Sequence, residues 1–254
     1  MSSLHKIAVA GATGRVGQHT ADVLRERGYD VVPISRSQGV DVITGTGLAT
    51  ALAGVECIID AATGPSPAQE TATKFFTTAA RNLQESGQQA GVQRMIAVSI
   101  IGTDRFTTGY GAAKIAHERA TLAGPVPAHV LRAAQFDEFV AQFVDWGTQG
   151  DVAYVAQMRT QLVAARAVGE VLADLATVPE LPRAPFTEVA GPREESMVEA
   201  AALLAARRGH PAKIEGVTNL DDPDHELNEN GALLPGPGAI LAGPTFAEWL
   251  GLTP

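Results

Sequence analysis

Cysteine and aromatic residues are scarce in this chain of 254 residues, and long apolar runs are missing. The single cysteine, Cys57, excludes an internal disulfide, and its apolar neighbours predict a small buried side chain. The apolar segment at residues 7–10 is too short for the hydrophobic region of a secretory signal, and no stretch approaches the length of a membrane span. We therefore expect a cytoplasmic protein without a membrane partner.

Positive charge is also in short supply, because 28 acidic residues outnumber 19 lysines and arginines and leave a net charge of −9. A nucleic-acid surface needs clustered positive charge, and this chain has no basic run of five or more residues. The histidines show no ligand spacing with one another or with Cys57, which argues against a metal site. The expected partner is a small molecule, and both a monomer and a homodimer remain open.

Short apolar runs alternate with helical patterns in the first half of the chain, which is typical of βαβ units on a parallel sheet. This alternation predicts strands at residues 6–10, 29–35, 40–44, 57–62, 95–101 and 128–132, and helices at residues 15–27, 48–52, 67–88 and 110–122. Beyond Arg132 the pattern turns helical, with an aromatic stripe at Phe136, Phe139, Phe143 and Trp146 and helices at residues 162–177 and 196–209. We predict one α/β domain over residues 1–254, with a doubly wound parallel sheet in residues 1–133 and a smaller lobe in residues 134–254.

A glycine-rich loop lies between the first predicted strand and the first predicted helix. Gly11 allows a tight turn, Gly14 leaves room for a close approach of phosphates, and Gly17 lets the helix pack on the strand. The helix N-terminus supplies free N–H groups and the positive end of its dipole. The loop therefore predicts a site for the pyrophosphate of a dinucleotide, formed by Gly11, Thr13, Gly14, Arg15, Val16 and Gly17. The alternative is a glycine-rich turn that binds nothing.

The second predicted strand ends in Ser35-Arg36-Ser37, where an acidic residue would accept hydrogen bonds from a ribose with two free hydroxyls. A guanidinium flanked by hydroxyls instead suits a 2′-phosphate, because arginine forms paired, charge-assisted hydrogen bonds. Ser35 and Arg36 thus favour NADP(H) over NAD(H), and Arg15 could contribute from the loop. The alternative is that both arginines are solvated surface charges. Main-chain atoms of Ala62 and Thr63, after the strand at residues 57–62, are expected to border the cofactor.

Tyr110 and Lys114 lie four residues apart on a predicted helix, which places them on one face. A free phenol has a pKa of about 10, and a nearby ammonium with an oxidised nicotinamide would lower it. The phenol could then protonate a carbonyl as hydride arrives, while Lys114 orients the nicotinamide ribose. Ser99, at the end of the strand at residues 95–101, could hydrogen-bond the same substrate oxygen. The alternatives are an amphipathic surface pair and a serine bonded to the backbone.

Five segments resemble the short-chain dehydrogenase/reductase superfamily, in particular its atypical NmrA-like or NAD(P)H-binding branch. They read Gly11-Ala12-Thr13-Gly14-Arg15-Val16-Gly17, Phe75-Phe76-Thr77-Thr78-Ala79, Gly109-Tyr110-Gly111-Ala112-Ala113-Lys114, Leu131-Arg132-Ala133-Ala134-Gln135-Phe136 and Gly243-Pro244-Thr245-Phe246-Ala247-Glu248-Trp249-Leu250. The resemblance covers nearly the whole chain. It implies a Rossmann sheet with a small C-terminal lobe that covers the substrate, NADP(H) binding, and carbonyl or quinone reduction. The segment at residues 98–102 lacks the consecutive hydroxyl residues of extended members, so Thr103 is an alternative to Ser99.

The residues described above are compatible with three functions. The first is an NADPH-dependent oxidoreductase that acts on a small or mid-sized apolar carbonyl, enone or quinone, with Tyr110, Lys114 and Ser99 as catalytic residues. The second is a non-catalytic NADP(H)-sensing regulator of NmrA-like type, which would not need the proton donor Tyr110. The third is a sugar-nucleotide epimerase or dehydratase with retained NAD, which the basic end of the second strand at Arg36 disfavours.

Overall fold

The structure, a computed structural model, describes residues 6–220 and 222–252. Its elements are, in chain order, β1 (Lys6–Ala10), α1 (Arg15–Glu26), β2 (Asp30–Ile34), α2 (Leu48–Ala51), β3 (Cys57–Asp60), α3 (Gln69–Ala90), β4 (Arg94–Ile100), α4 (Gly109–Leu122), β5 (Ala128–Ala133), α5 (Phe139–Gly147), β6 (Thr148–Gln149), β7 (Val152–Ala156), β8 (Arg159–Thr160), α6 (Ala165–Thr177), β9 (Phe186–Ala190), β10 (Glu195–Ser196), α7 (Met197–Arg208), β11 (Lys213–Val217), α8 (His225–Glu229), β12 (Ile240–Leu241) and α9 (Phe246–Leu252).

Seven parallel strands form the central sheet, in the order β12-β9-β5-β4-β3-β1-β2. β1 pairs with β2 on one side and with β3 on the other, so the strand order reverses at β1. Ligands of such sheets bind at the carboxyl ends of the strands beside this reversal. The predicted doubly wound α/β fold is confirmed, and its topology directs attention to the loops that follow β1 and β3.

Continuous apolar runs explain the central strands, because a strand covered on both faces has no polar side. Every residue of β3 is buried, and so are four of the five residues of β1. Cys57 begins β3 as a buried side chain, as predicted, and burial raises the pKa of its thiol to about 12. The helices of this half follow the predicted amphipathic faces, and α3 buries Phe76, Ala79, Ala80 and Leu83.

The strand predicted at residues 40–44 is wrong. The Asp41 carboxylate accepts hydrogen bonds from the backbone N–H groups of Ile43 (2.7 Å) and Thr44 (3.4 Å), which folds the segment into a local turn. Gly45 and Gly47 follow with positive φ angles of 76°, which a strand does not allow. The apolar residues Val40 and Val42 therefore pack on the core of the first unit from a turn and not from a strand.

The second half of the chain contains more strands than its helical pattern predicts. β7 pairs in parallel with β11 and antiparallel with β6, which gives a separate three-stranded sheet. β9 and β12 extend the central sheet. The helices α6 and α7 lie within the predicted ranges, whereas Phe136 precedes α5 and forms an isolated bridge with Val163.

By its internal contacts the chain divides into two compact units, residues 6–99, 108–132 and 168–187 in the first and residues 100–107, 133–167 and 188–252 in the second. The first unit has a core on β1, β3 and β4 that includes Ala8, Ile58 and Met95. The second has its own core, in which residues of α5, β7 and α7 pack against Phe246. The division predicted at residue 133, between a dinucleotide-binding core and a smaller lobe, stays a prediction. In the described part of the chain, no helix has both the length and the apolar character to cross a membrane.

Gln84 joins α3 to the chain around α4 through its buried amide. Its Nε2 donates to the Thr121 carbonyl at 2.8 Å and to the Val126 carbonyl at 3.2 Å, and its Oε1 accepts from the Val126 N–H at 2.8 Å. Gln84→Leu leaves the buried N–H and carbonyl of Val126 without the amide and leaves the Thr121 carbonyl only its bond from the Gly124 N–H at 3.3 Å, so we expect the free energy of unfolding to fall by about 3 kcal/mol. Urea denaturation measures this loss. The matched change Gln88→Leu, at an exposed position of α3, should stay within about 0.5 kcal/mol of wild type; equal losses would contradict the role of the amide.

Candidate functional site

The glycine loop after β1 is held together by contacts that only glycine permits. Gly11 has a φ of 74°, and its N–H donates to the Ile34 carbonyl at 3.0 Å. A Cβ atom on Gly17 would lie 2.2 Å from the carbonyl oxygen of Gly11, and one on Gly11 would lie 2.7 Å from that of Ala61. Both distances are shorter than any van der Waals contact. These glycines therefore bring the start of α1 close to the ends of β1 and β3.

The N-terminus of α1 opens from this loop without a side chain to cap it. Gly14 is the N-cap residue and forms no side-chain hydrogen bond with the helix, and the first turn contains no acidic residue. The first N–H groups of a helix lack partners within the helix, and the dipole of α1 places partial positive charge there. An anionic group such as a pyrophosphate would satisfy both.

A cavity of about 610 Å³ lies beside the loop in the first unit. Seven of the predicted cofactor residues line it, namely Gly11, Thr13, Gly14, Ser35, Arg36, Ala62 and Thr63. Arg15, Val16 and Gly17 are not among the lining residues: Arg15 is exposed at the first position of α1, and Val16 and Gly17 are buried on its inner face. The cavity thus joins the ends of β1, β2 and β3, where the adenosine and pyrophosphate parts of a dinucleotide would fit.

Two exposed cations, Arg36 and Lys74, line the cavity. Arg36 begins a short 3-10 turn after β2, and the neighbouring hydroxyls of Ser35 and Ser37 are hydrogen-bonded to each other at 2.9 Å. The carboxylate of Asp41, which also lines the cavity, is occupied by the turn described above. Sequence reasoning missed Lys74, which the helical pattern of α3 does not distinguish from a solvated surface lysine.

Tyr110 lies in the first turn of α4 and is partly buried against the edge of Phe76, with ring centroids 5.7 Å apart. Burial raises the pKa of Tyr110 to about 12, because the phenolate loses more hydration than the phenol. The lowered pKa that the Tyr110–Lys114 spacing predicts is therefore not a property of these residues by themselves. At neutral pH the phenol keeps its proton.

Lys114 lies one turn further along α4, and its ammonium points into the protein. Nζ donates to the Val98 carbonyl at 2.6 Å, lies 3.1 Å from His117 Nδ1, and sits 4.2 Å from the centre of the Phe76 ring. Only 5% of the residue is exposed. Burial lowers the pKa of Lys114 to about 8, although Asp60 and Glu118 oppose this shift by their negative charge.

Ser99 ends the buried part of β4 with its hydroxyl fully covered. Among the residues that the structure describes, no atom forms a hydrogen bond with Ser99 Oγ. A buried hydroxyl without a partner is costly, so Ser99 Oγ retains an unused hydrogen-bonding capacity at the carboxyl end of the sheet. The alternative residue, Thr103, is buried in a 3-10 turn of the second unit.

Asp60 and His117 complete the buried polar residues around Lys114, and sequence reasoning assigned neither a role. His117 Nε2 lies 3.0 Å from Asp60 Oδ2, and each residue is 1% exposed. Asp60 ends β3, two residues before Ala62, whose N–H donates to Asp60 Oδ1 at 3.1 Å. The available signal was the spacing of three between Lys114 and His117 on one helix, which is too common to single out a histidine.

The burial of Tyr110 leads to a direct titration experiment. Since its pKa is raised to about 12, the tyrosinate absorbance of the wild type should contain a transition near that pH, and Tyr110→Phe should remove it. Rapid pH jumps with detection in the near ultraviolet separate this signal from alkaline unfolding, and Tyr154→Phe, in the second unit, serves as the control. A Tyr110 transition at or below the ordinary phenol value of 10.0 would show that burial does not control this group.

Residues 7–129 match the model of the NAD dependent epimerase/dehydratase family. Among curated proteins, the 3-beta-hydroxysteroid dehydrogenase of Mycolicibacterium neoaurum is 30% identical over an alignment of 116 residues that covers 37% of this chain. The match spans about a third, 32%, of the length of that relative.

Solved structures show the same fold over the whole chain. A dTDP-4-dehydrorhamnose reductase from Bacillus anthracis, in complex with NADP, aligns with a TM-score of 0.74 and 16% identity, covering 98% of each chain. The enzyme WbmH of Bordetella bronchiseptica, in complex with NAD+, aligns with a TM-score of 0.68 and 14% identity, covering 96% of each chain. The segment that matches the NAD dependent epimerase/dehydratase family, residues 7–129, carries the glycine loop, Ser99, Tyr110 and Lys114.

Proposed function

We propose that the protein is an NADPH-dependent oxidoreductase that transfers hydride to a small or mid-sized apolar carbonyl, enone or quinone. The observation that carries this proposal is the cavity after β1, which combines the open N-terminus of α1 with Arg36 in place of an acidic residue. The resemblance to the NmrA-like branch supports the same cofactor. We also propose that the protein is cytoplasmic, that its substrate is a small molecule, and that it binds neither nucleic acid nor a membrane.

The residues of the cavity fit the separate parts of NADP(H). The N–H groups at the start of α1 and the close approach allowed by Gly14 suit the pyrophosphate. Arg36 suits the 2′-phosphate through paired hydrogen bonds, and Lys74 adds a second positive charge at the same cavity. Main-chain atoms of Ala62 and Thr63 would border the cofactor where β3 ends.

The chemistry of the proposed reaction needs a proton donor at the substrate oxygen, since the reduced nicotinamide supplies a hydride. Tyr110 suits this step because its raised pKa keeps the phenol protonated at neutral pH. Lys114 would hold the nicotinamide ribose and offset the negative charge left on Tyr110 after the proton has moved. The free hydroxyl of Ser99 would donate a hydrogen bond to the same substrate oxygen.

A second candidate is a sugar-nucleotide epimerase, dehydratase or reductase. The family match of residues 7–129 favours this reading, and so do the structural neighbours, which include a dTDP-4-dehydrorhamnose reductase. Retained NAD is disfavoured by Arg36, which stands where a free ribose would need an acceptor. A preference for NADP(H) over NAD(H) therefore argues against an epimerase or dehydratase that retains NAD, whereas a sugar-nucleotide reductase is compatible with it, since the dTDP-4-dehydrorhamnose reductase is in complex with NADP.

Cofactor preference can be measured by thermal unfolding with NADPH and NADH in parallel. A ligand at about 100 times its dissociation constant stabilises the native state by about 2.7 kcal/mol. We expect greater stabilisation by NADPH, and we expect Arg36→Ser to weaken NADPH binding about tenfold with little change for NADH. Arg183→Ser, an exposed change away from the cavity, is the matched control. Equal or greater stabilisation by NADH would refute the assignment of Arg36, and no stabilisation by either would refute the cofactor site.

Turnover tests the role of Tyr110. Tyr110→Phe removes the proton donor and keeps the aromatic ring against Phe76, so we expect kcat to fall about 10²- to 10⁴-fold while NADPH affinity is retained. Steady-state kinetics over panels of carbonyls, enones and quinones and a cofactor titration measure both. Tyr154→Phe should leave turnover at the wild-type rate. A variant Tyr110→Phe as active as wild type would rule out the proposed acid, and a wild type inactive on all panels would favour a cofactor-sensing protein.

A further inference from the structure

A buried chain of hydrogen bonds runs from the wall of the cavity to Lys114. It begins at the N–H of Ala62, which donates to Asp60 Oδ1 at 3.1 Å. Asp60 Oδ2 lies 3.0 Å from His117 Nε2, and His117 Nδ1 lies 3.1 Å from Lys114 Nζ. Each of these four residues is less than a tenth exposed. The chain therefore connects the end of β3 with the inner face of α4 without contact with bulk water.

The chemistry of the groups determines where the protons lie in this chain. An ammonium has only donors, so His117 Nδ1 must accept from Lys114. The proton of the neutral ring is then on Nε2, from which it is donated to the carboxylate of Asp60. Burial lowers the pKa of His117, and the positive charge of Lys114 lowers it further. His117 is thus a neutral imidazole in one tautomer, and Asp60 is an anion.

Phe76 fixes the same three side chains of α4 from the neighbouring helix α3. Its ring stacks on His117 with centroids 4.8 Å apart, carries the ammonium of Lys114 on its face, and contacts Tyr110 with its edge. Tyr110, Lys114 and His117 follow at the spacings of four and three that place side chains on one helix face. The ammonium therefore has a defined position relative to the phenol.

The ammonium of Lys114 has three N–H donors, and the described residues occupy two of them. Val98 accepts one through its carbonyl oxygen and His117 accepts another. A third donor remains for a hydroxyl of a ribose or for the oxygen of Tyr110. With only one donor left, the orientation of the ammonium depends on the partners that hold the other two.

The charges that face Lys114 come from three elements. Asp60 on β3 and Glu118 on α4 raise its pKa, whereas burial lowers it more strongly, to about 8. Glu118 is itself engaged by Arg132 of β5 in a two-pronged ion pair, at 2.9 and 2.8 Å. His117 is neutral, and Tyr110 is protonated at neutral pH. Glu118 therefore divides its charge between Lys114 and Arg132, whereas the side chain that bonds Asp60 is the neutral ring of His117.

We propose that Asp60 and His117 are positioning residues that hold the Lys114 ammonium in place and keep it protonated for the reaction proposed above. The inference rests on that proposed function for its consequence, but the state of Lys114 can be measured without turnover. Asp60 contributes its negative charge. His117 links this charge to the Lys114 ammonium through two hydrogen bonds, which water cannot replace because the ammonium is buried.

The first test follows the titration of Lys114 by NMR of the protein labelled with 13Cε-lysine. The chain contains four lysines, so Lys114→Met identifies the signal. Asp60→Asn removes the negative charge, and we expect the pKa of Lys114 to fall from about 8 to about 7 or below. Asp22→Asn, an exposed change on α1, is the control and should leave the signal at its wild-type midpoint. An unchanged midpoint in folded Asp60→Asn overturns the proposal.

Cofactor affinity should follow the same change. The contribution of Lys114 to NADPH binding is present while the ammonium is charged and is lost as the pH rises through its pKa. In Asp60→Asn this loss should therefore occur about one pH unit lower than in wild type. A purely structural defect would weaken binding equally at every pH, and that result would overturn the proposed role. If wild type binds neither dinucleotide, the proposed function fails while the lysine titration still decides the role of Asp60.

The second test replaces His117 by side chains with and without hydrogen bonds. His117→Gln offers an amide oxygen to Lys114 and an amide N–H to Asp60, whereas His117→Leu offers neither. We expect His117→Gln to keep the Lys114 midpoint close to wild type and His117→Leu to lower it. Equal effects of the two would overturn the proposed transmission.

A measurement on unaltered protein covers the case in which these variants do not fold. 15N NMR of histidine-labelled wild type reports which ring nitrogen carries the proton. The expected state of His117 at neutral pH is the neutral tautomer protonated on Nε2. A proton on Nδ1, alone or in an imidazolium, is incompatible with a bond accepted from Lys114 and overturns the proposal.

Discussion

The arrangement of the first unit depends on the burial of one ammonium group. A lone buried charge costs several kcal/mol, so Lys114 requires partners that replace its hydration. The surrounding residues meet this need with one carbonyl, one neutral imidazole, one aromatic face and the carboxylate of Asp60. The second buried cation of this unit, Arg132, is paired with Glu118, so the charges of Lys114, Arg132, Asp60 and Glu118 cancel. These contacts tie α4 to β3 and β4, and they place Tyr110 at the N-terminal end of a helix whose depth and rotation are determined.

A second constraint is steric, and it places the cavity after β1 at the carboxyl edge of the sheet. The backbone of α1 approaches Gly11 so closely that Gly17 has no room for a side chain. This contact opens the helix N-terminus toward the ends of β1 and β3. Because the strands are parallel, Ala62, which follows β3, and Ser99, near the end of β4, lie at the same edge of the sheet. Topology therefore brings the cavity and the buried polar residues around Lys114 together, and Asp60 contacts both, because it accepts a hydrogen bond from the Ala62 N–H at the cavity wall and bonds the ring of His117.

The sequence allowed the first five strands of the sheet and the glycine loop to be predicted because each depends on a strong local pattern. The strand predicted at residues 40–44 was wrong because the Asp41 carboxylate bonds the backbone N–H groups of Ile43 and Thr44, a local preference that outweighs the apolar character of the segment. The strands of the second half are two to five residues long and alternate only partly, as in β7, so no strand pattern could be recognised between the helices predicted there. Asp60 and His117 could not be predicted as a pair, because they lie 57 positions apart in the sequence and only the fold shows that their side chains meet.

Burial shifts the pKa values of Tyr110 and Lys114 in opposite directions, and the consequences for the proposed reaction differ. It raises the pKa of the phenol and lowers that of the ammonium, so both groups are driven toward their neutral forms. A neutral phenol is ready to donate a proton, whereas a neutral amine could not compensate the phenolate that results. The limiting group of the proposed reduction is therefore Lys114 and not Tyr110. A site that donates protons from a buried phenol needs a counter-charge for its ammonium more than it needs to perturb the phenol itself, and Asp60 lies where it meets that need through His117.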